Sequence, residues 1–236
     1  MTATRLWLSF GTTTAVLFAL VAVLVPRRGS VAEFDQDMMA SMLALRHPAL
    51  TAVAQIITGF GSLWPVTLFS ILVALVVGYR ARRLLEPVVM LAAVEVSTTL
   101  VQLLKIAIGR ARPPLDAMLG APVFDYSFPS DHTASGTVVY LLGVLLLTVT
   151  EARNGRGRLL VTACVMSGLI GLSRVYLGYH WFTDVVGGWL LAAFVTSVGM
   201  AFVTATRSPD PDLVVGDVVA PQDASSQITK LVVGNF

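Results

Sequence analysis

Three short segments of this 236-residue chain concentrate side chains that can bind and transfer charged groups. They read KIAIGRARP at 105–113, FPSDHT at 128–133 and SRVYLGYHWFTD at 173–184. Together they supply three cations, two histidines, a serine and a carboxylate: Lys105, Arg112, Arg174, His132, His180, Ser130 and Asp184. Three fixed cations around one anion suit a phosphate group or its transition state, whose charge spreads over several oxygens. If the three segments meet, they form a site for phosphate chemistry.

Each residue type has its own task in such a site. Arginine offers paired donors to a phosphate and lysine a point charge, while two histidines can serve as a nucleophile and a general acid. Ser130 follows Pro129 where a helix should begin, so its hydroxyl and the free N–H groups of the first turn can face an anion. Asp184 follows His180 by four residues. In a helical stretch, its carboxylate can therefore bond one ring nitrogen and leave the other free to attack.

The elements that must position these segments are hydrophobic helices. The chain is 56% hydrophobic and only 13% charged, with a mean hydropathy of +0.79 and a formal net charge of +2. An average soluble domain is about 25% charged, so this composition excludes a disordered chain, a nucleic-acid-binding domain and an ordinary soluble enzyme. Six apolar runs are long enough to cross a bilayer: 6–25, 62–79, 87–108, 132–150, 159–177 and 183–205. We therefore expect an all-α polytopic membrane protein with six transmembrane helices.

Two further stretches lie outside these spans. Between the first two spans, apolar residues recur at helical spacing with acidic residues on the other faces: Phe34, Met38, Met42 and Leu45 against Glu33, Asp35 and Asp37. This pattern predicts an amphipathic helix at the membrane interface, with a plain loop as the alternative. After the last span, Pro, Asp and Ser are mixed without periodicity, which predicts a membrane domain at 1–206 and a disordered cytoplasmic tail at 207–236.

The distribution of cations predicts the orientation in the membrane. Nine of the sixteen cations fall on one predicted side: Arg5, Arg80, Arg82, Arg83, Arg153, Arg156, Arg158, Arg207 and Lys230. The other side has seven, of which Lys105, Arg112 and Arg174 belong to the candidate site. We expect both termini in the cytoplasm and the three segments together on the outer face of the cell membrane. Arg110 on that face is interpreted as an interfacial anchor.

The three segments resemble the three-part signature of the membrane-integral type 2 phosphatidic acid phosphatases, relatives of the vanadium haloperoxidases. That signature is Lys, six residues and Arg-Pro; then Pro-Ser-Gly-His; then Ser-Arg, five residues, His, three residues and Asp. The first and third parts match at every defined position over the stretch 105–184, and the six-span layout extends the resemblance. The segment Thr58-Gly-Phe-Gly-Ser62 also resembles the family.

This resemblance implies metal-independent hydrolysis of a lipid phosphomonoester or diphosphate through a phosphohistidine, with no cofactor. It implies that His180 is the nucleophile, Asp184 its orienting partner and His132 the acid that protonates the leaving group. The implied phosphate ligands are Lys105, Arg112, Ser130, Arg174 and the backbone N–H of Asp131. The implied partners are a phosphorylated lipid and the bilayer, without nucleic acid.

One position departs from the signature, because Asp131 stands where the family usually has glycine. The backbone donor is unaffected, but a carboxylate facing a phosphate would repel it, so we expect the side chain to turn away, towards Arg110. Pro-Ser-Asp-His also resembles the version in bacterial undecaprenyl-diphosphate phosphatases of the bacitracin-resistance type. Undecaprenyl diphosphate, phosphatidic acid and phosphatidylglycerophosphate all stay open as substrates.

Two other functions fit the same residues. A vanadate-dependent haloperoxidase uses a similar pocket, and a transporter or flippase could bind a phosphorylated lipid without hydrolysing it. Glu95 lies in the middle of the third span, in a polar stripe that leads to Lys105. It is interpreted as a protonated or hydrogen-bonded packing residue.

Overall fold

The structure, a computed structural model, describes residues 2–27, 29–149 and 155–207. Its helices are α1 (Ala3–Leu24), α2 (Ser30–Ala44), α3 (Pro48–Gly59), α4 (Leu63–Ala81), α5 (Leu85–Ile108), α6 (Asp131–Thr148), α7 (Arg156–Tyr176) and α8 (Phe182–Arg207). A single 3-10 turn, Leu115–Ala117, lies between α5 and α6. The described ranges contain no strand, so the predicted all-α class is confirmed.

Six helices, α1 and α4 to α8, are long and apolar enough to cross a membrane. Their ends agree with the six predicted spans to within three residues. Large apolar side chains remain exposed along several of them, for example Leu20 on α1 and Leu68 on α4, as a surface in contact with lipid requires. The chain is therefore a multi-pass membrane protein.

Helix α6 lies at the centre of the helix packing. It contacts α4, α5 and α7, and its buried side chains lie on all its faces, among them Thr133, Val138 and Val139. A helix that is apolar all round belongs in such a central place. Because α6 begins at Asp131, the central helix carries the second motif at its N-terminus.

Helix α8 approaches the start of α6 closely because it has glycine at the contact. A Cβ atom on Gly188 would lie 2.9 Å from both the Ser130 carbonyl oxygen and the Thr133 Cβ atom. The Ser130 backbone N–H also donates a hydrogen bond to the Asp184 carbonyl oxygen, at 3.0 Å. Small residues allow this approach between membrane helices. The second and third motifs are therefore held together by backbone contacts.

The predicted helix between the first two spans is present as α2, but its buried face differs from the prediction. Asp35 and Met39 are buried, whereas Phe34 and Leu45 are exposed. The helix is rotated relative to the apolar pattern because the Asp35 carboxylate is paired inside the protein, as described below. Its position at a membrane interface stays a prediction.

Helix α3 was not predicted from the sequence. Its twelve residues are too few to cross a bilayer, and it packs against α7. His47 caps its N-terminus, since the ring Nδ1 accepts a hydrogen bond from the Ala49 N–H at 3.3 Å. This histidine, which lies outside the three motifs, therefore has a structural role in the helix start.

The chain divides into two units, Met1–Thr204 and Ala205–Phe236. Helix α8 continues to Arg207, and residues 208–236, for which a disordered tail was predicted, lie outside the described residues. The boundary predicted at 206 and the disorder predicted beyond it stay predictions.

Candidate active site

The third motif places His180 in a tight turn directly before α8. Gly178 in this turn has φ +79°, and a Cβ atom there would lie 1.9 Å from the Ala117 carbonyl oxygen, so only glycine fits. Asp184 is in the first turn of α8 and accepts a hydrogen bond from the Trp181 N–H at 2.9 Å, as in a capping box. Its Oδ2 atom also lies 3.4 Å from the His180 Nδ1 atom. The helix start therefore fixes the carboxylate beside the histidine.

The contacts of His180 indicate which ring nitrogen carries the proton. A guanidinium can only donate, so the Arg112 Nη1 atom, 3.2 Å from Nε2, requires an unprotonated Nε2. The proton then lies on Nδ1 and faces the Asp184 carboxylate. Burial, followed by the charges of Arg112, Arg174 and Lys105, lowers the pKa of His180 well below its usual value. His180 is therefore a neutral imidazole with its lone pair directed at a cation.

Lys105 and Arg112, the two cations of the first motif, meet on one carboxylate. Lys105 Nζ lies 2.5 Å from Asp125 Oδ2, and Arg112 Nη2 lies 2.6 Å from Asp125 Oδ1. Both cationic side chains are buried, while that of Asp125 is 47% exposed. Lys105 is in the last turn of α5, where the helix dipole favours a cation. Sequence reasoning missed Asp125, which lies outside all three motifs.

The third cation, Arg174, is buried near the end of α7. Its Nη1 atom donates to the Thr58 hydroxyl at 2.9 Å, and its guanidinium stacks 4.3 Å from the centre of the Tyr179 ring. Its Nε atom is buried without a hydrogen-bond partner in the described structure. A buried donor of this kind needs an acceptor, and an anion in the site would supply one. Thr58 belongs to the segment that resembled the family.

The second motif forms the start of α6. Ser130 is fully buried, and its Oγ accepts a hydrogen bond from the Thr133 hydroxyl at 3.0 Å. The Ser130 side chain does not cap the first turn of α6, so the N–H groups of that turn can face an anion. His132 lies one residue into α6, within electrostatic reach of Arg174 and His180.

The carboxylate of Asp131 bonds to its own helix and not to the predicted partner. Its Oδ1 atom accepts a hydrogen bond from the Ser135 hydroxyl, at 3.1 Å, one turn further along α6. Arg110, which was expected to receive it, binds two other carboxylates. The prediction of this partner was wrong because Asp131 finds a donor on its own helix.

Arg110 is not an interfacial anchor but the centre of a buried charge network. Its guanidinium donates to the Asp184 Oδ1 atom and, at 2.6 Å, to the Asp35 Oδ2 atom. Asp35 also accepts from the Thr183 N–H at 3.0 Å and from its hydroxyl at 2.5 Å. Asp35 and Asp184 are 1% and 0% exposed, and both need the cation between them. Helix α2 therefore contributes to holding the carboxylate that lies beside His180.

The structure brings the predicted site residues together, since contacts or close electrostatic interactions link Lys105, Arg112, Ser130, Asp131, His132, Arg174, His180 and Asp184. Their catalytic and binding roles stay predictions at this point. Glu95 does not belong to this group. It is exposed on the surface of α5, so it does not pack among the described helices, and its protonated or hydrogen-bonded state stays a prediction.

Comparison with known proteins relates this arrangement to one family. Residues 83–208 match the PAP2 superfamily. Phosphatidylglycerophosphatase B of Bacillus subtilis is 28% identical over 180 residues, which are 74% of this chain and 86% of that protein. An undecaprenyl-diphosphatase of Sulfolobus acidocaldarius is 32% identical over 72 residues, which are 30% of this chain and 31% of that protein.

A solved structure has the same fold. The crystal structure of a transmembrane PAP2-type phosphatidylglycerolphosphate phosphatase from Bacillus subtilis superposes with a TM-score of 0.78 at 23% sequence identity. The match covers 85% of this chain and 99% of that one. The six-span arrangement of this chain is therefore that of a solved membrane protein.

Proposed function

This chain belongs to the PAP2 superfamily and is a membrane-integral phosphatase of that family, and on this premise we propose that it hydrolyses a terminal lipid phosphate through a phosphohistidine on His180. The observation that carries the proposal is the environment of the His180 ring. Nδ1 faces the buried Asp184 carboxylate, and Nε2 faces the Arg112 guanidinium. A nucleophilic nitrogen beside fixed cations suits attack on a phosphate.

In the first step, the Nε2 lone pair of His180 attacks the phosphorus atom and the bond to the lipid oxygen breaks. His132 gives its proton to that oxygen, so the lipid leaves as an alcohol, or as a lipid monophosphate when the substrate is a diphosphate. The positive charge that develops on the His180 ring is stabilised by Asp184. Lys105, Arg112, Arg174 and the start of α6 hold the phosphate oxygens.

In the second step, water attacks the phosphohistidine. His132, now neutral, takes a proton from the water, and the P–N bond breaks to return its electron pair to His180. Inorganic phosphate leaves and both histidines regain their starting protonation. Groups of this chain supply the first nucleophile, the acid and base and the donors to the phosphate, so we propose a metal-independent reaction.

The substrate class follows from the site and from the relatives. Relatives are named for phosphatidylglycerophosphate and undecaprenyl diphosphate, and both lipids, like phosphatidic acid, present a terminal phosphate on a long apolar tail. A cluster of three cations recognises the terminal phosphate that these lipids share. We therefore propose a lipid with a terminal phosphate as the substrate.

Purified protein is expected to release inorganic phosphate from at least one of these three lipids, at the same rate with and without EDTA. Release from none of them would contradict the proposal, and binding without release would favour a flippase. A rate lost with EDTA and restored by a divalent cation would contradict the metal-independent mechanism.

We also propose that the site faces outwards, with both termini in the cytoplasm. The support is the position of Arg80 in the last turn of α4 and of Arg82 and Arg83 between α4 and α5, at the opposite end of α5 from Lys105. Loops rich in arginine stay on the cytoplasmic side.

Thiol labelling of intact cells tests this orientation. Cys164 is replaced by serine, and cysteine is introduced at one of two exposed loop positions, Asp116→Cys near the site or Arg83→Cys at the other end. A membrane-impermeant maleimide is expected to label Asp116→Cys in intact cells, and Arg83→Cys only after lysis. The reverse labelling pattern would contradict the orientation.

A further inference from the structure

One carboxylate holds two of the cations proposed to bind the phosphate. Asp125 accepts from Lys105 Nζ at 2.5 Å and from two nitrogens of Arg112, Nη2 at 2.6 Å and Nε at 2.9 Å. Its backbone carbonyl accepts a further bond from Arg112 Nε at 3.0 Å. A carboxylate that takes one lysine and a fork of arginine donors makes the contacts that two phosphate oxygens would make. Phosphate and this carboxylate therefore compete for the same donors.

Asp125 is on the loop between α5 and α6. Its aromatic neighbours Phe124 and Tyr126 are 83% and 46% exposed, while Asp125 reaches inwards to the cations. Burial alone would raise the pKa of Asp125, but the hydrogen bonds and charges of Lys105 and Arg112 outweigh it and lower the pKa. The group is therefore an anion at neutral pH.

We propose that Asp125 is an internal occupant of the phosphate site, which substrate must displace and which sets the affinity of the site for phosphate. The proposal rests on the proposed function in that the three cations are taken as the phosphate ligands. Since the Asp125 side chain is half-exposed, it can move into water when it leaves the cations, without a buried unpaired charge. The phosphate then replaces it on Lys105 and Arg112.

The same exchange affects the nucleophile. Asp125 accepts hydrogen bonds from the Nε and Nη2 atoms of Arg112. In this arrangement, the Nη1 atom of Arg112 donates to His180 Nε2 at 3.2 Å and to the Tyr179 carbonyl oxygen at 2.6 Å. The lone pair that must attack is then already hydrogen-bonded. A phosphate that takes over Arg112 would release this lone pair at the moment of binding. Asp125 also competes with the product, so its return to the cations favours release of inorganic phosphate.

A structural role for Asp125 predicts the opposite behaviour. If the carboxylate served to orient Lys105 and Arg112 for phosphate, its loss would leave the two cations misplaced and weaken phosphate binding. The sign of the change in phosphate affinity therefore separates the two roles.

The test is calorimetric titration of the purified, detergent-solubilised protein with inorganic phosphate, which requires no turnover. Asp125→Asn is expected to bind phosphate at least about tenfold more tightly than wild type, the factor expected when one competing charge-assisted hydrogen bond is lost. Asp125→Glu keeps the charge and is expected to bind as weakly as wild type. Asp116→Asn, an exposed carboxylate of the same loop without an ion pair in the described structure, is the matched control and is expected to show no change.

Equal or weaker phosphate binding by Asp125→Asn, with Asp125→Glu close to wild type, would overturn the proposal. Should Asp125→Asn unfold during purification, Asp125→Ser and the phosphate-dependent rise in melting temperature give the same comparison, with a larger rise expected for the variant. Failure of the proposed function can be told apart from failure of the Asp125 proposal. The former would be seen as the absence of lipid hydrolysis by the wild-type protein, whatever the phosphate affinities of the variants.

Discussion

Replacing His180 with alanine is expected to lower kcat for lipid phosphate hydrolysis by at least about 10³-fold, because the reaction loses its nucleophile. The side chain is 2% exposed and lies between Asp184 and Arg112, so no other described histidine can take its position without moving a helix. The measurement is the release of inorganic phosphate from the preferred lipid in detergent micelles.

Two controls distinguish the loss of the nucleophile from a general loss of folding or of phosphate binding. His47→Asn changes an exposed histidine but keeps a side chain that can cap α3, and its rate is expected to stay within about twofold of wild type. His180→Ala itself is expected to bind inorganic phosphate with an affinity close to that of wild type, because all three cations remain. A His180→Ala variant with more than a tenth of the wild-type kcat would show that the nucleophile lies elsewhere.

Replacing Arg110 with methionine is expected to lower the free energy of unfolding by about 3–5 kcal/mol, the range found when one partner of a buried ion pair is removed. The substitution leaves the Asp35 and Asp184 carboxylates, which are 1% and 0% exposed, without the cation between them. The measurement is chemical denaturation in detergent micelles. Activity is expected to fall as well, because Asp184 loses the partner that fixes its orientation towards His180.

The matched control is Arg27→Met, an exposed arginine on the same predicted side of the membrane, which is expected to change the free energy of unfolding by less than about 0.5 kcal/mol. Asp35→Asn added to Arg110→Met is expected to recover part of the lost stability, because it removes one uncompensated buried charge. If Arg110→Met is as stable as Arg27→Met, the buried network does not contribute as described.

The fold was predictable because the spans are long apolar runs that need nothing else to identify them. The six predicted spans agree with α1 and α4 to α8, and this topology alone implies that the ends of α5 and α7 and the starts of α6 and α8 lie together. Helix α3 was missed because its twelve residues lie between short turns and do not reach the length of a span. A hydropathy pattern does not define the ends of a helix as short as this one.

The parts of the site that the sequence left out are two carboxylates outside the motifs, which pair with cations of the first segment. Asp35 is 75 positions from Arg110, and in a helix with acidic residues on several faces it cannot be told from a solvated carboxylate. Asp125 is in a loop with no periodicity, where the direction of each side chain depends on the conformation of the neighbouring turn. Their roles follow only from which cation each carboxylate meets in three dimensions, and no spacing rule gives that.

The phosphohistidine on His180 can be sought directly by mass spectrometry. Wild-type protein is mixed with the preferred lipid phosphate, quenched within the first turnovers at alkaline pH, where a phosphohistidine survives, and digested for peptide analysis. We expect one phosphate on the peptide that contains His180, and none on the same peptide from His180→Ala. A phosphate found on another residue, or rapid turnover with no phosphate on His180 at any time, would contradict the central claim that this histidine is the nucleophile.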